Sequence, residues 1–362
     1  MLRKLFILIS LLFCSVCLFA AVPSEKKSVR TAVIFDASGI DDKAYNETIW
    51  KGVVSYYKDN IKNPKYSGIK YDYRLCSSEK ELPAIVSELN EEKFDLIIIT
   101  INYYSKTISE LSKKYPQIKF AVLDSESFLG ENVMSIAFDS SEGSYLVGLV
   151  AALQAKEDGI KNPVFGFIGG VKGPAITMFE MGYIQGIKSV FPDSIIIDYY
   201  TDSWNAPIKA NLVATRWYDS GVYAIFCAAG RCGLGVIGEA KEQRIKGKNV
   251  WAIGVDRDQY VEGIYSGTKS AVLTSMTKDA GRAAAIAIKA VEDEVFKGCV
   301  IELELKDNAL GFTHSNKMLK SSVVFSAENA RKAIITGRIE VYKTYKESHA
   351  KGIAPLGLSA KD

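Results

Sequence analysis

Short apolar runs alternate with stretches of helical period along most of this chain. The apolar runs are rich in Val, Ile, Phe and Tyr and fall into two series. The first series is Thr31–Phe35, Lys70–Leu75, Leu96–Ile101, Lys119–Leu123 and Val133–Phe138, and the second is Val164–Ile168, Ser194–Tyr199, Tyr223–Cys227 and Val250–Val255. Apolar residues at i, i+3 and i+4 predict helices over Ala44–Tyr57, Ser141–Lys156, Pro174–Val190 and Pro207–Tyr218. Strands that alternate with helices predict parallel sheets covered on both faces.

The two series are not separated by a linker, an internal repeat or a low-complexity tract. We therefore predict an α/β fold of two doubly wound, parallel-sheet lobes joined by three crossovers, with a cleft between the lobes. The crossovers are expected near Ile136–Asp139, Tyr260–Ser275 and Leu303–Phe312. The first lobe would comprise residues 28–136 and 276–305 and the second residues 137–260 and 312–345, followed by a polar C-terminal tail at 346–362.

Polar residues and glycines stand at the ends of the predicted strands. They are Asp36, Asn102, Asp124, Asp139, Gly169–Gly170, Asp202, Gly230 and Asp256. In open α/β sheets, ligands bind beyond the carboxyl ends of the strands. We expect several of these residues, from both lobes, to face the cleft.

Three aspartates follow the first strand closely, in the stretch "FDASGIDDKAYNE" from Phe35 to Glu47. Asp36 ends the strand and is expected to bind the ligand. Gly39 permits the turn, and Asp42 is expected to cap the following helix. An alternative is a nucleoside hydrolase that uses Asp36, Asp41 and Asp42.

The hydrolase alternative rests on a likeness of "FDASGIDD" to the calcium-binding turn D-x-D-P-G-x-D-D of inosine–uridine hydrolases. Ala37 stands where the second metal-binding aspartate belongs, and calcium needs several carboxylates at once. The chain has two histidines, and the internal cysteines Cys76, Cys227, Cys232 and Cys299 form no C-x-x-C pair. We expect no metal, no cofactor and no catalytic activity.

The N-terminal 21 residues resemble a secretory signal, with Arg3 and Lys4 before an apolar stretch. Cys17 is the preferred lipid anchor, with Cys14 or cleavage near Ala20 as alternatives. We therefore expect a bacterial envelope protein, lipid-anchored to the membrane or periplasmic. The 45 basic and 42 acidic residues are spread along the chain, so nucleic acid is not an expected partner.

Four ordered motifs resemble the basic membrane protein family of ABC-transporter substrate-binding lipoproteins, the purine nucleoside receptor A-like group. "GIDDKAYNE" is similar to the family's G-I-D-D-K-S-F-N-Q, and "AAGRCGLG" to its A-A-G-G-T-G-L-G. "GFIGGVKGPAITMFEMGYIQG" is similar to G-F-I-G-G-x-x-x-P-x-I-x-x-F-x-x-G-F-x-x-G, and "IGVDRDQ" to I-G-V-D-x-D-Q. The likeness runs from about Val29 to about Phe325.

This resemblance implies a type I periplasmic binding protein that delivers a nucleoside-like small molecule to an ABC permease, and we expect it to act as a monomer. A nucleobase would lie between the rings of Tyr45 and Trp204, where the family usually has phenylalanine. The polar groups of the site would come from the remaining matched positions, Asp36, Asn46, Gly230, Asp256 and Lys278.

The chain departs from the family at three places. Lys106 matches the aspartate that contacts the base, and a lysine cannot accept the N–H that a carboxylate accepts. Tyr103 and Tyr104 crowd the same strand end, and Arg231 and Cys232 replace Gly and Thr after Gly230. Lys106 is therefore expected to alter the specificity, and an envelope interaction protein that has lost its ligand stays a third alternative.

Overall fold

A computed structural model describes residues 28–360 and residue 362. The predicted signal segment and its cysteines Cys14 and Cys17 lie outside the described residues. The nine strands and four helices predicted from the sequence all form, with ends within two residues of their predicted positions. Within the described residues, no helix is long and apolar enough to cross a membrane.

The first sheet has six strands in the described residues, all parallel, in the order β13-β5-β4-β3-β1-β2. The strands, numbered in chain order, are β1 (Thr31–Asp36), β2 (Tyr71–Cys76), β3 (Leu96–Ile99), β4 (Lys119–Leu123), β5 (Val133–Phe138) and β13 (Cys299–Leu303). The helices of this lobe are α1 (Tyr45–Tyr56), α2 (Leu82–Glu91), α3 (Ser105–Lys114) and α8 (Ala280–Glu292). The central strands β1 and β3 are mostly apolar because helices cover both of their faces, and Asp36 at the end of β1 is the charged exception.

The second sheet has the order β14-β12-β9-β8-β6-β7 among the described residues, and β14 is antiparallel to β12. Its strands are β6 (Val164–Gly169), β7 (Ile195–Tyr200), β8 (Val222–Ala228), β9 (Trp251–Asp256), β12 (Val272–Lys278) and β14 (Leu310–Phe312). A separate pair consists of β10 (Ile264–Ser266) and β11 (Lys269–Ser270). The helices of this lobe are α4 (Ser140–Glu157), α5 (Pro174–Lys188), α6 (Pro207–Asp219), α7 (Cys232–Ile245), α9 (Ser321–Ile335) and α10 (Tyr345–Ala350).

The chain passes between the lobes three times. The first and third passages, at Asp139 and between β13 and β14, lie inside the predicted segments. The predicted location of the second passage, Tyr260–Ser275, is wrong. β12 hydrogen-bonds with β9 and β14 as far as Lys278, so the chain leaves the second lobe only at Asp279. The predicted lobe boundary at residue 276 therefore moves to residue 279.

The C-terminal segment packs against the second lobe. It contains α10, and Ala354 beyond that helix is buried. Before α10, the side chain of Gln185 on α5 holds the backbone of Glu340 and Tyr342 by hydrogen bonds. The polar composition of this segment gave no sign of these contacts.

Helices α4 and α5 cross with their backbones in contact. A Cβ atom built on Gly182 would lie 2.0 Å from the carbonyl oxygen of Ser141, and one on Gly186 would lie 2.1 Å from that of Tyr145. The close approach of the two helix backbones therefore requires glycine at these positions. The crossing fixes the position of α4, the helix that follows the first passage between the lobes.

We predict that Gly182→Ala lowers the free energy of unfolding by about 1–3 kcal/mol, because the added methyl group overpacks the crossing. The control is Gly238→Ala on α7, where a Cβ atom would meet nothing within 4 Å. That change should raise stability by about 0.5–1 kcal/mol, since alanine favours a helix interior. Urea unfolding of both variants measures these changes. Equal changes in the free energy of unfolding would contradict a close backbone contact at the crossing.

Candidate functional site

A cavity of about 340 Å³ lies between the lobes, at the carboxyl ends of strands from both sheets. This size falls in the range of small-molecule sites, roughly 300–1,000 Å³. Five of the polar strand ends named from the sequence line it: Asp36, Asn102, Asp124, Gly230 and Asp256. Asp139, Gly169–Gly170 and Asp202 do not line it.

Seven of the eight residues proposed as ligand-binding line this cavity. They are Asp36, Tyr45, Asn46, Trp204, Gly230, Asp256 and Lys278. Lys106 does not line it. Its side chain is exposed on the first turn of α3, while the preceding residue, Ser105, lines the cavity. The expectation that Lys106 reaches the ligand is therefore not met in this structure.

Asp36 is held at the end of β1 by hydrogen bonds within its own turn. Its Oδ1 accepts from the backbone N–H of Ser38 at 2.7 Å and also from the Ser38 hydroxyl. Its Oδ2 accepts from Nδ2 of Asn46 at 3.2 Å. The same Nδ2 lies 3.2 Å from the carbonyl oxygen of Gly39, whose φ of +77° is in the left-handed region. These contacts fix the carboxylate at the cavity wall.

Asp42 caps α1, as predicted. Its Oδ1 accepts from the backbone N–H groups of Ala44 and Glu47, at 2.9 and 3.0 Å, and its Oδ2 accepts from that of Asn46 at 3.0 Å. Asp41, by contrast, is exposed. The three aspartates therefore have three different surroundings. Among the described residues, no group of three His, Cys, Asp or Glu side chains is placed to hold a metal ion.

The ammonium group of Lys278 lies buried at the centre of the site. Its Nζ is 2.7 Å from Oδ2 of Asp124 and 3.8 Å from Oδ1 of Asp256. It also lies 4.5 Å from the ring centroid of Tyr45 and 5.1 Å from that of Phe179. Lys278 ends β12 in the second lobe and Asp124 follows β4 in the first, so this ion pair joins the two lobes.

Asp124 and Asp256 both have left-handed backbones, with φ of +57° and +66°. Non-glycine residues in this region are uncommon, and they cluster at functional sites. Burial raises the pKa of the Asp256 carboxyl to about 7, although Lys278 opposes the rise. Like-charge repulsion from Asp42 and Asp124 raises this pKa further. Burial therefore works against the charged form of Asp256, and the nearby Lys278 ammonium works in its favour.

Aromatic rings form the apolar walls of the cavity. Tyr45 comes from α1 and Phe179 from α5, while Trp204 lies in the loop before α6. The indole of Trp204 packs on the backbone of Gly170, where a Cβ atom would lie 2.2 Å from the ring. Gly170 thereby sets the position of the Trp204 ring.

Motif comparison did not find every cavity residue. Asp124 was visible as a polar strand end, but no motif distinguished it from Asp139 or Asp202. Phe179 is a matched position of one motif, but the motif gave it no role in the site. Only the fold shows that its ring lies in the cavity wall.

Two hydrogen bonds from the second lobe reach the Asp41–Lys43 turn of the first lobe. Nη2 of Arg231 donates to the carbonyl oxygen of Asp41 at 3.0 Å, and it lies 3.7 Å from the Asp41 carboxylate. Nε2 of Gln259 donates to the carbonyl oxygen of Lys43 at 2.8 Å, while its Oε1 accepts from the backbone N–H of Val255. Arg231 therefore bridges the lobes without lining the cavity.

Comparison with known proteins identifies the family. The family model for the ABC transporter substrate-binding protein PnrA-like group matches residues 29–345. The chain belongs to this PnrA-like family. It is therefore a member of a family of ABC transporter substrate-binding proteins, which is not a family of enzymes.

Relatives of this PnrA-like chain match it over most of their length. The CD4+ T-cell-stimulating antigen of Listeria monocytogenes is 34% identical over 325 residues, covering 88% of this chain and 89% of the relative. The ABC transporter nucleoside-binding protein BmpA of Lactococcus lactis is 30% identical over 326 residues, covering 87% and 90%.

A solved structure confirms the fold. A solute-binding protein of an ABC transporter system from Aeropyrum pernix superimposes with a TM-score of 0.76 at 20% sequence identity. The match covers 90% of this PnrA-like chain and 96% of the solved chain. The type I periplasmic binding protein fold predicted from the sequence is therefore confirmed.

We predict that Arg231→Ala makes this PnrA-like protein more open in the absence of ligand, because one of the two bridges to the Asp41–Lys43 turn is lost. Small-angle X-ray scattering should show a larger radius of gyration. The control is Arg216→Ala, which removes an exposed arginine from α6 of the same lobe. Superimposable scattering curves for the parent and Arg231→Ala would contradict a bridging role.

Proposed function

We propose that this chain binds a purine nucleoside, or a similar ring-bearing polar solute, in the cavity and delivers it to the permease of an ABC importer. The observation that carries the proposal is the composition of one cavity. Aromatic rings of Tyr45 and Trp204 line it together with the carboxylates of Asp36, Asp124 and Asp256. The Lactococcus lactis relative is named a nucleoside-binding protein, which supports the same ligand class.

The two kinds of side chain suit the two halves of a nucleoside. Stacking on an aromatic ring is worth about 1–3 kcal/mol per base and does not discriminate strongly among bases. Carboxylates accept hydrogen bonds, as sugar hydroxyls require, and the Lys278 ammonium donates them. Among the described lining residues, a phosphate group would meet the carboxylates of Asp36, Asp124 and Asp256, while Lys278 is already paired with two of them and Lys172 is exposed. We therefore expect nucleosides to bind better than nucleotides.

The hydrolase alternative loses its main support in the contacts of the aspartates. Both oxygens of Asp42 accept hydrogen bonds from the backbone of α1, and Asp41 meets Arg231 and Lys43 outside the cavity. The cavity, lined by aromatic rings and carboxylates from both lobes, also argues against a protein that has lost its ligand. We therefore favour the binding function over both alternatives.

Calorimetry on residues 22–362 with inosine, guanosine, adenosine and uridine tests the proposal. We expect at least one purine nucleoside to bind, and Trp204→Ala to weaken every nucleoside that binds by about tenfold or more, because stacking is lost. The control is Phe325→Ala, which removes an exposed aromatic ring outside the cavity.

Two results would contradict the proposal. One is binding of no nucleoside, and the other is release of free base when the protein is incubated with these nucleosides and calcium. Release that disappears in Asp36→Asn would establish the hydrolase instead.

We further propose that a lipid on Cys17 holds the protein at the outer side of a membrane. Labelling of the expressed protein with a palmitate analogue should disappear in Cys17→Ser and persist in Cys14→Ser. Loss of label only in Cys14→Ser would show that Cys14 carries the lipid instead. No label in the parent would support a free periplasmic protein.

A further inference from the structure

A buried thiol holds the loop that carries Trp204. Cys232, the first residue of α7, is fully buried. Its Sγ accepts from the backbone N–H of Ala206 at 3.2 Å and donates to the carbonyl oxygen of Ser203 at 3.3 Å. These contacts stand one residue before Trp204 and two residues after it. The thiol therefore spans the segment that bears the indole ring.

The thiol can make both contacts because it is protonated. Burial raises the pKa of the Cys232 thiol above its ordinary value, so the sulfur keeps its proton at neutral pH. A protonated thiol is a weak donor and a weak acceptor, and each role is used here. The carbonyl oxygen of Ser203 also accepts from the hydroxyl of Thr201 at 2.7 Å. The start of the loop is therefore held by two donors.

Two glycines pack against the same tryptophan. The indole lies on the backbone of Gly170, and a Cβ atom built on Gly230 would lie 3.3 Å from the carbonyl oxygen of Trp204. These close contacts fit Trp204 only in one conformation of its loop. The hydrogen bonds of Cys232 fix that conformation on both sides of Trp204. A shift of the loop would press the ring against Gly170 or turn it away from the cavity.

A buried cysteine is often only an apolar core residue. Cys227 on β8 fits that description, since it lies buried in the same apolar cluster as Cys232 and its thiol makes none of these contacts. Cys232 differs because its sulfur meets two backbone groups of one loop. The two cysteines therefore separate the effect of a buried thiol from the effect of holding the loop.

We propose that Cys232 is a positioning residue, which holds the Trp204 loop so that the indole faces a ring of the ligand. This inference rests on the proposed nucleoside function and adds to it a residue that does not line the cavity. Cys232 acts only through Trp204. Loss of the thiol should therefore weaken stacking, and it should have no effect once the indole has been removed.

Fluorine NMR measures the position of the ring without ligand. The chain contains four tryptophans, and labelling with fluorotryptophan gives one resonance for each. The Trp204 resonance is the one that is missing in Trp204→Ala. We expect Cys232→Ala to move or broaden it. Cys227→Ala, the matched control, should leave it unchanged, and Cys232→Ser should restore it because serine keeps a donor and an acceptor.

Calorimetry with inosine measures the consequence for binding. Cys232→Ala should weaken binding about tenfold, while Cys232→Ser and Cys227→Ala bind as the parent does. In a chain that already carries Trp204→Ala, the addition of Cys232→Ala should cause no further loss, since residues that act as a unit are not additive. Cys232→Val also removes both hydrogen bonds, and it takes the place of Cys232→Ala if that variant does not fold.

An unchanged Trp204 resonance or an unchanged inosine affinity in Cys232→Ala would overturn this inference alone. The same loss of affinity from Cys232→Ala with and without the indole would also overturn it, because Cys232 would then act by another route. A parent that binds no nucleoside would overturn the proposed function and the role of Cys232 in stacking with it.

Discussion

The buried ammonium group of Lys278 is the interaction on which the site depends. Removing a charge from water costs several kcal/mol, and only close opposite charges offset that cost. Asp124 supplies the nearest carboxylate and Asp256 the next, one from each lobe. The rings of Tyr45, Phe138 and Phe179 surround the same nitrogen within 5.4 Å. The Nζ atom of Lys278 therefore joins the two lobes, sets the charge at the centre of the cavity and contacts its aromatic walls.

The turn after β1 shows how one short segment serves several purposes. Asp36 faces the cavity, Asp42 caps α1, and the carbonyl groups of Asp41 and Lys43 receive donors from the opposite lobe. This explains why three aspartates stand so close together without forming a metal site in the described chain. Asp36 and Asp42 both accept hydrogen bonds from Asn46, whereas Asp41 is exposed and lies beside Arg231 of the opposite lobe.

Much of the fold follows from sequence patterns, because buried parallel strands are apolar on both faces and their helices repeat at 3.6 residues. β12 was missed because it carries Thr and Ser among its apolar residues, and only its pairing with β9 identifies it as a strand. The prediction that Lys106 faces the cavity failed for a different reason. Neighbouring residues of a helix point about 100° apart, so a matched position next to the cavity need not face it. Here Ser105 faces the cavity and Lys106 faces solvent.

In the proposed function, a nucleoside occupies this cavity with its base between two rings and its sugar among the carboxylates. The crystal structure of the protein with inosine tests it most directly. We expect the base between Tyr45 and Trp204, and the sugar hydroxyls within hydrogen-bond distance of Asp36, Asp256 or Lys278. Inosine bound outside this cavity, or with its base away from both rings, would contradict the proposed function.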